Sequence, residues 1–296
     1  MSGALQFKVG RLACWTLEGG LQRLDGGAMF GVVPKPLWER RIPADERNRI
    51  PLAMRCLLVE HPDGLVLIDT GLGNKENERF LDIYGVENAG DPGPTPLEDA
   101  IRETGHQPAD VTWVINSHLH FDHAGGNTVK RENGAIELSF PNATYVVQRR
   151  ELDFATTPNE RIRASYLAPN FAPITALDRW RLLDGEADVL PGIRAIPTPG
   201  HVPYHQSILV SDSGESACFL GDLVPTSAHL PAPWIMGYDL EPLVTLATKK
   251  AFLPRAAREG WQLVFEHDPK VARGRVGRDE KKGWTAELAE KVPAGG

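Results

Sequence analysis

A chain of 296 residues, 42% hydrophobic and 24% charged, can bury a core of its own, which excludes a disordered chain and a small disulfide-stapled scaffold. Its net charge of −7 argues against a protein that tracks a phosphate backbone with lysine and arginine, so no nucleic-acid partner is expected. The three cysteines, Cys14, Cys56 and Cys218, are widely spaced in apolar runs and read as buried small hydrophobes rather than a disulfide framework.

The chain starts Met1-Ser-Gly-Ala-Leu-Gln, without the charged and apolar regions of a signal peptide, and no apolar run approaches the roughly 20 residues of a membrane span. A cytoplasmic protein without membrane contact is the expectation. Residues 7–17 read as a strand. Residues 26–51 form a Gly-, Pro- and Arg-rich stretch that nonetheless carries Met29, Phe30, Val32, Val33, Leu37 and Trp38. Strands over 54–60 and 65–69 flank His61-Pro62-Asp63-Gly64 and predict a hairpin. A helix is predicted over 96–104, where Thr95 and Glu98 make a capping box. Strands over 111–116 and 144–148 follow, then helices near 149–154 and 158–166. Strands over 193–197, 206–210 and 217–220 lead to a second loop, 225–238, with Leu230, Trp234, Ile235 and Met236. A helix over 241–258 and a strand over 262–266 complete the pattern. Alternation without a linker or repeat predicts one α/β domain over 1–296, two sheets face to face with helices outside. Long loops rich in large apolar residues predict binding walls or a subunit contact at 26–51 and 225–238.

The strand over 111–116 runs into Ser117-His118-Leu119-His120-Phe121-Asp122-His123-Ala124-Gly125-Gly126. Three of the nine histidines fall within one hexapeptide, and burying that many imidazoles unpaired is costly. Alternate residues of an extended chain point the same way, so His118 and His120 can reach one ion. After a turn that the glycines permit, Asp122 and His123 can face a second. Imidazole with carboxylate suits two divalent ions, zinc foremost, with manganese, iron and cobalt as competitors. Further donors follow apolar strands: His201 in Thr198-Pro199-Gly200-His201, Asp222 after Gly221, and His267 after Glu266. Each lies past the C-terminal end of its strand, where open α/β sites form.

The order His-x-His-x-Asp-His, Gly-His, Gly-Asp, His resembles the metallo-β-lactamase superfamily over about 54–268. The resemblance implies an αββα sandwich of two mixed β-sheets, with His118, His120 and His201 on the first ion. Asp122, His123 and His267 would hold the second, and Asp222 would bridge both. Asp69, in Leu67-Ile68-Asp69-Thr70-Gly71, would support the site from behind the ligands, and His205, four residues after His201, would be structural. Two cations flanking a bridging water lower its pKa and supply hydroxide at neutral pH, so the expected reaction is hydrolysis. Asp122 would orient that water or pass its proton to the leaving group. Within the superfamily, the stretches 27–38 (Gly-Ala-Met-Phe-Gly-Val-Val-Pro-Lys-Pro-Leu-Trp), 117–126, 221–229 and 233–239 are similar to YtnP-like quorum-quenching lactonases. That implies opening of N-acyl-homoserine lactones by a homodimer, with Met29, Phe30, Trp38, Trp234 and Met236 suited to an acyl chain. The best-known lactonases of the superfamily carry a tyrosine three residues after the bridging aspartate; here that position is Pro225, so either another donor substitutes, with His229 and Tyr238 as candidates, or the preferred substrate is not a homoserine lactone. Organophosphate triesterases and thioesterases share the ligand set and are the rival substrate classes. All seven ligand positions are kept, which argues against a non-catalytic binding protein.

Overall fold

The computed structural model describes residues 3–87, 95–279 and 283–291. The first sheet takes β1 (Ala4–Val9), β2 (Leu12–Asp25), β3 (Arg49–His61), β4 (Gly64–Ile68) and β5 (Val111–Ile115). Beyond a two-stranded ribbon of β6 (Thr128–Lys130) and β7 (Ile136–Leu138), it is completed by β8 (Thr144–Gln148) and β9 (Trp180–Leu183), all seven lying in that order. The second sheet runs, again in chain order, through β10 (Ala187–Leu190), β11 (Ile193–Pro197), β12 (Gln206–Asp212), β13 (Glu215–Phe219), β14 (Gln262–Val264), β15 (Val271–Asp279) and β16 (Gly283–Lys291).

Strands covered on both faces explain the near-continuous apolar runs. In β3, Leu57 and Val59 face the other sheet, whereas Cys56 and Leu58 face outward, and all four are buried. The inner faces meet through Val66, Ile68, Ile115 and Val146 on one side and Ile193, Ile208, Val210 and Phe219 on the other. Each such side chain contributes on the order of 2 kcal/mol by leaving water. The helices are α1 (Gly26–Phe30), α2 (Lys35–Trp38), α3 (Glu78–Ile83), α4 (Pro96–Glu103), α5 (Phe121–Ala124), α6 (Arg149–Thr156), α7 (Ala172–Ala176) and α8 (Pro242–Arg258). Leu97 and Ile101 of α4 and Ile174 of α7 cover the outer face of the first sheet. Phe252, Leu253 and Ala256 of α8 cover the second. The layers are therefore helix, sheet, sheet, helix. The capping box at Thr95 and Glu98 is present, and the three cysteines are buried and free.

Three expectations need correction. The strand over 7–17 is two strands turning at Gly10 and Arg11, with Val9 paired to Leu12. The helix over 158–166 is instead a set of turns: the Asn159 side chain accepts from Arg161 N at 3.0 Å, a local bond that competes with helix. Strands β9, β10, β15 and β16 escaped notice because their sequences are short or heavily charged, as in Arg273-Gly274-Arg275. No helix among the described residues is long and apolar enough to cross a membrane.

Strand direction gathers the polar ends. β4, β5, β8 and β9 are mutually parallel. β11 and β13 both run antiparallel to β12, and β14 runs parallel to β13, so these three share a direction. The loops leaving β4, β5, β11, β13 and β14 carry Asp69, the 118–123 segment, His201, Asp222 and His267 respectively. Backbone bonds tie the two rims together, with Ala53 N donating to His267 O at 3.2 Å and Gln206 N to Ser117 O at 3.0 Å.

Candidate metal centre

The 118–123 segment is held by the loop after β4. Asp69 accepts from Ser117 N and from Ser117 Oγ, both at 2.6 Å, and its Oδ2 lies 3.0 Å from His123 Nδ1. Gly125 and Gly126 let the two loops touch: a Cβ at Gly125 would meet Leu72 O, and one at Gly126 would meet Thr70 O, each at 2.1 Å. That closeness allows Thr70 N to donate to His123 O at 2.7 Å, and the single turn of α5 presents Asp122 and His123.

The seven residues singled out as ligands converge. His118, His120, His201 and Asp222 bring one donor atom each to within 4.8 Å of one another, and Asp122, His123 and His267 do the same beside them. Asp222 lies between the groups: its Oδ2 is 3.0 Å from His201 Nε2 and 3.5 Å from His123 Nε2, and its Oδ1 is 3.2 Å from His267 Nε2. His120 Nδ1 is 3.1 Å from His201 Nε2, and His267 Nε2 is 3.3 Å from His123 Nε2.

The outward ring nitrogens of His267, His201 and His123 are engaged by the protein, which fixes those rings. His267 Nδ1 donates to Ala53 O at 2.7 Å, and His201 Nδ1 is 3.0 Å from Asp239 Oδ1. His123 Nδ1 lies 2.9 Å from Glu266 Oε2 as well as beside Asp69. Among the described residues, His118 Nε2 and Asp222 Oδ1 are buried without a hydrogen bond, an expensive arrangement unless a cation joins them. Burial and the surrounding imidazoles hold His118 and His120 well below the usual histidine range, so both are neutral and offer lone pairs. Burial alone would raise the Asp222 carboxyl, but His201, His267 and His123 outweigh it and hold it well below the carboxylate range. Burial would lower His201, His267 and His123 as well, but Asp222 and its neighbouring carboxylates raise all three, so the two adjoining groups call for positive charge that two divalent cations would supply.

His205 is buried, its Nδ1 2.8 Å from Thr198 Oγ1 and its Nε2 accepting from Asp222 N at 3.0 Å. Burial brings it down to about 3, so it is neutral and fixes the backbone of Asp222. Gly221 makes room for that ring, adopting φ 50° where a Cβ would lie 2.6 Å from His205 Nε2. Pro225 contributes its carbonyl, which accepts from His267 N at 2.9 Å.

Four supporting residues were not anticipated. Gln22 Nε2 donates to Asp122 Oδ2 at 2.6 Å, and Glu151 Oε1 accepts from Leu119 N at 3.0 Å and from the Tyr166 hydroxyl at 2.9 Å. Glu266 and Asp239 are the others. Glu266 directly precedes His267 and Asp239 ends the 233–239 stretch, so both adjoin sequence that had drawn attention; Gln22 and Glu151 had no such signal.

A cavity of about 400 Å³ opens onto His120, Asp122, His201, Asp222 and His267. Its apolar lining includes Leu24, Met29, Met236 and Leu240, and its polar lining includes Arg161 and Ser165. Of the five loop residues singled out, Met29 and Met236 border the cavity. Phe30, Trp38 and Trp234 do not: Phe30 stacks on Trp38 at 5.3 Å and takes the Trp234 ring edge-on at 5.7 Å, forming the packing behind the wall. His229 is also a correction. It is buried, stacked on Phe30 at 4.5 Å, with Nδ1 2.7 Å from Thr226 Oγ1 and Nε2 2.8 Å from Met29 O. Burial lowers it to about 3, so it is a neutral strut between the two loops and not a substrate-facing acid.

Comparison with known proteins agrees with this geometry. The family model described as the Metallo-beta-lactamase superfamily matches residues 51–267. An N-acyl homoserine lactonase from a Bacillus species is 34% identical over 233 residues, 76% of this chain and 85% of that one. A probable metal-dependent hydrolase from Staphylococcus aureus superposes with a TM-score of 0.87 at 30% identity, over 97% of this chain and 99% of that one. An N-acyl homoserine lactone hydrolase, solved with N-hexanoyl-L-homoserine at its catalytic metal centre, gives 0.64 at 25% identity, over 89% of this chain and 95% of that one. With the donor-bearing loops inside the matched span and the whole fold shared, this chain belongs to the metallo-β-lactamase superfamily.

Proposed function

We propose that this chain, acting as one domain, opens the ring of N-acyl-homoserine lactones with two divalent cations, zinc in preference. The observation that carries the reading is the convergence of seven donors at a cavity lined by both apolar and polar side chains. Such a cavity suits a polar lactone head joined to an acyl chain, and the relatives named as lactonases support the same substrate class.

In this reading His118, His120 and His201 hold the first cation, Asp122, His123 and His267 the second, and Asp222 both. Bound there, the two cations supply acidity to water and polarise the ester carbonyl. The protein's own part is orientation. Asp239, Ala53 O and Asp69 fix three imidazoles, while Gln22 holds the Asp122 carboxylate at the cavity. Asp122 lines that cavity, accepts the proton released by the attacking water and returns it to the leaving alkoxide. Met29 and Met236 face the acyl chain.

The same reading puts the protein in a reducing compartment, the cytoplasm, in keeping with three free thiols. It also makes it a homodimer through 26–51, where Val32 is 94% and Leu37 50% exposed. Light scattering that shows only monomer removes the dimer.

The test is hydrolysis of a lactone series by zinc-, manganese- and cobalt-loaded protein, followed by proton release, with paraoxon and S-lactoylglutathione alongside. Lactone turnover with kcat/KM on the order of 10⁴ M⁻¹s⁻¹ or more is expected, lost in a metal-replete Asp122→Asn variant. A dominant signal on paraoxon or the thioester instead replaces the substrate class. Full turnover by Asp122→Asn removes the proton-transfer role.

A further inference from the structure

Two phenols line the cavity, Tyr84 and Tyr238, and they are held very differently. Tyr84 closes α3: its N–H donates to Phe80 O at 3.0 Å and its carbonyl accepts from Arg23 N at 2.9 Å. Arg23 follows Gln22, the residue that grips Asp122. The Tyr84 ring packs on Phe80 with centroids 4.3 Å apart and lies edge-on to Phe121 at 4.6 Å. Phe121 sits between His120 and Asp122, so the ring is referenced to the catalytic segment itself. Backbone and ring are both fixed, yet among the described residues the hydroxyl has no hydrogen-bond partner. Tyr238 shares the cavity but is 40% exposed and has no aromatic contact among the described residues.

A rigidly mounted donor without a partner, set beside a hydrolytic centre, matches a chemical need. Addition to an ester carbonyl builds negative charge on its oxygen, and a donor already in place stabilises that charge without reorganising. A phenol ionises at about 10 in water and burial raises Tyr84 above that, so it keeps its proton throughout the neutral range.

We propose that Tyr84 is a substrate-contacting catalytic residue whose hydroxyl donates a hydrogen bond to the ester carbonyl oxygen of the lactone as that oxygen gains charge. The phenol keeps its proton; no bond to it forms or breaks. The proposal rests on the lactone-opening reading above.

The experiment compares Tyr84→Phe and Tyr238→Phe with the parent on N-hexanoyl-homoserine lactone, with metal content and thermal midpoint measured for each. Phenylalanine keeps the packing on Phe80 and Phe121, so midpoint and metal content are expected to hold. For Tyr84→Phe, kcat and kcat/KM fall together by about 10- to 100-fold with KM little changed, the signature of a contact strengthened in the transition state. Tyr238→Phe lowers kcat less than Tyr84→Phe does, and the reverse order moves the donor role to Tyr238 and overturns the assignment. An unchanged kcat in Tyr84→Phe, or a rise in KM alone, overturns the assignment while the lactonase reading stands. A parent protein that opens no lactone removes both.

Discussion

Asp239 does for His201 what the Ala53 carbonyl does for His267: it takes the outer N–H so that the inner nitrogen is presented as a lone pair. The contact is 3.0 Å long and buried, so nothing from solvent replaces it. Asp239→Ala leaves the ring free to turn and removes a charge that favours cation binding. Affinity for the first cation is expected to fall about 10- to 100-fold, read by chelator competition, with the second cation less affected. Equal loss of both, or of neither, contradicts this division of the donors. His229 makes the converse point. Its two nitrogens are both used between loops, so its value is mechanical.

Among the elements, α8 does more than cover the second sheet. Its Lys249 is buried, and Nζ donates to His229 O at 2.6 Å, Trp234 O at 2.8 Å and Pro231 O at 3.1 Å. Burial pulls the ammonium down to about 7, while three carbonyl acceptors match its three N–H groups and favour the charged form. One side chain therefore shapes the 225–238 loop, which in turn supplies Met236 to the cavity. Lys249→Met keeps the volume and strands three carbonyls. The expected cost is about 3 kcal/mol, measured by urea unfolding, together with a raised KM as the wall loosens. Unchanged stability means that the carbonyls find water and the lysine is dispensable.

Across the whole molecule the two sheets are clamped through their hairpin turns as well as through the core. Arg11, between β1 and β2, reaches Asp212 at the end of β12, with Nη2 to Oδ1 at 2.8 Å and Nε to Oδ2 at 3.1 Å. Bonds from Arg11 hold the Asp212 carboxyl well below its ordinary value of 3.8. A depressed carboxylate stabilises the fold above its unfolded pKa, and that contribution is lost as pH falls through the folded one. Arg11→Ala is therefore expected to be less stable than the parent above about pH 4, with the gap closing in stronger acid, and to retain full activity. Thermal midpoints across pH 2–7 test this; a gap that widens on acidification contradicts it.

The order of candidate donors was legible in the amino-acid chain because a strand followed by His118, His120, Asp122 and His123 is a local pattern, and because His201, Asp222 and His267 each end an apolar run. The layered α/β fold was legible for the same reason, since burial imposes its period on neighbouring residues. What decides a polar side chain's role, however, is the partner it meets across the fold. Gln22 on Asp122, Asp239 on His201 and Glu151 on Leu119 N join residues far apart in sequence, and no local period encodes them. The same holds for the apolar loops: Met29 and Phe30 are chain neighbours, yet one lines the cavity and the other packs behind it. Sequence by itself determined which atoms could bind and in what order, because that depends on residue type and spacing. Tertiary structure alone decided which groups orient them and which face the cavity, because only packing brings distant strands and loops to within a hydrogen bond of one another.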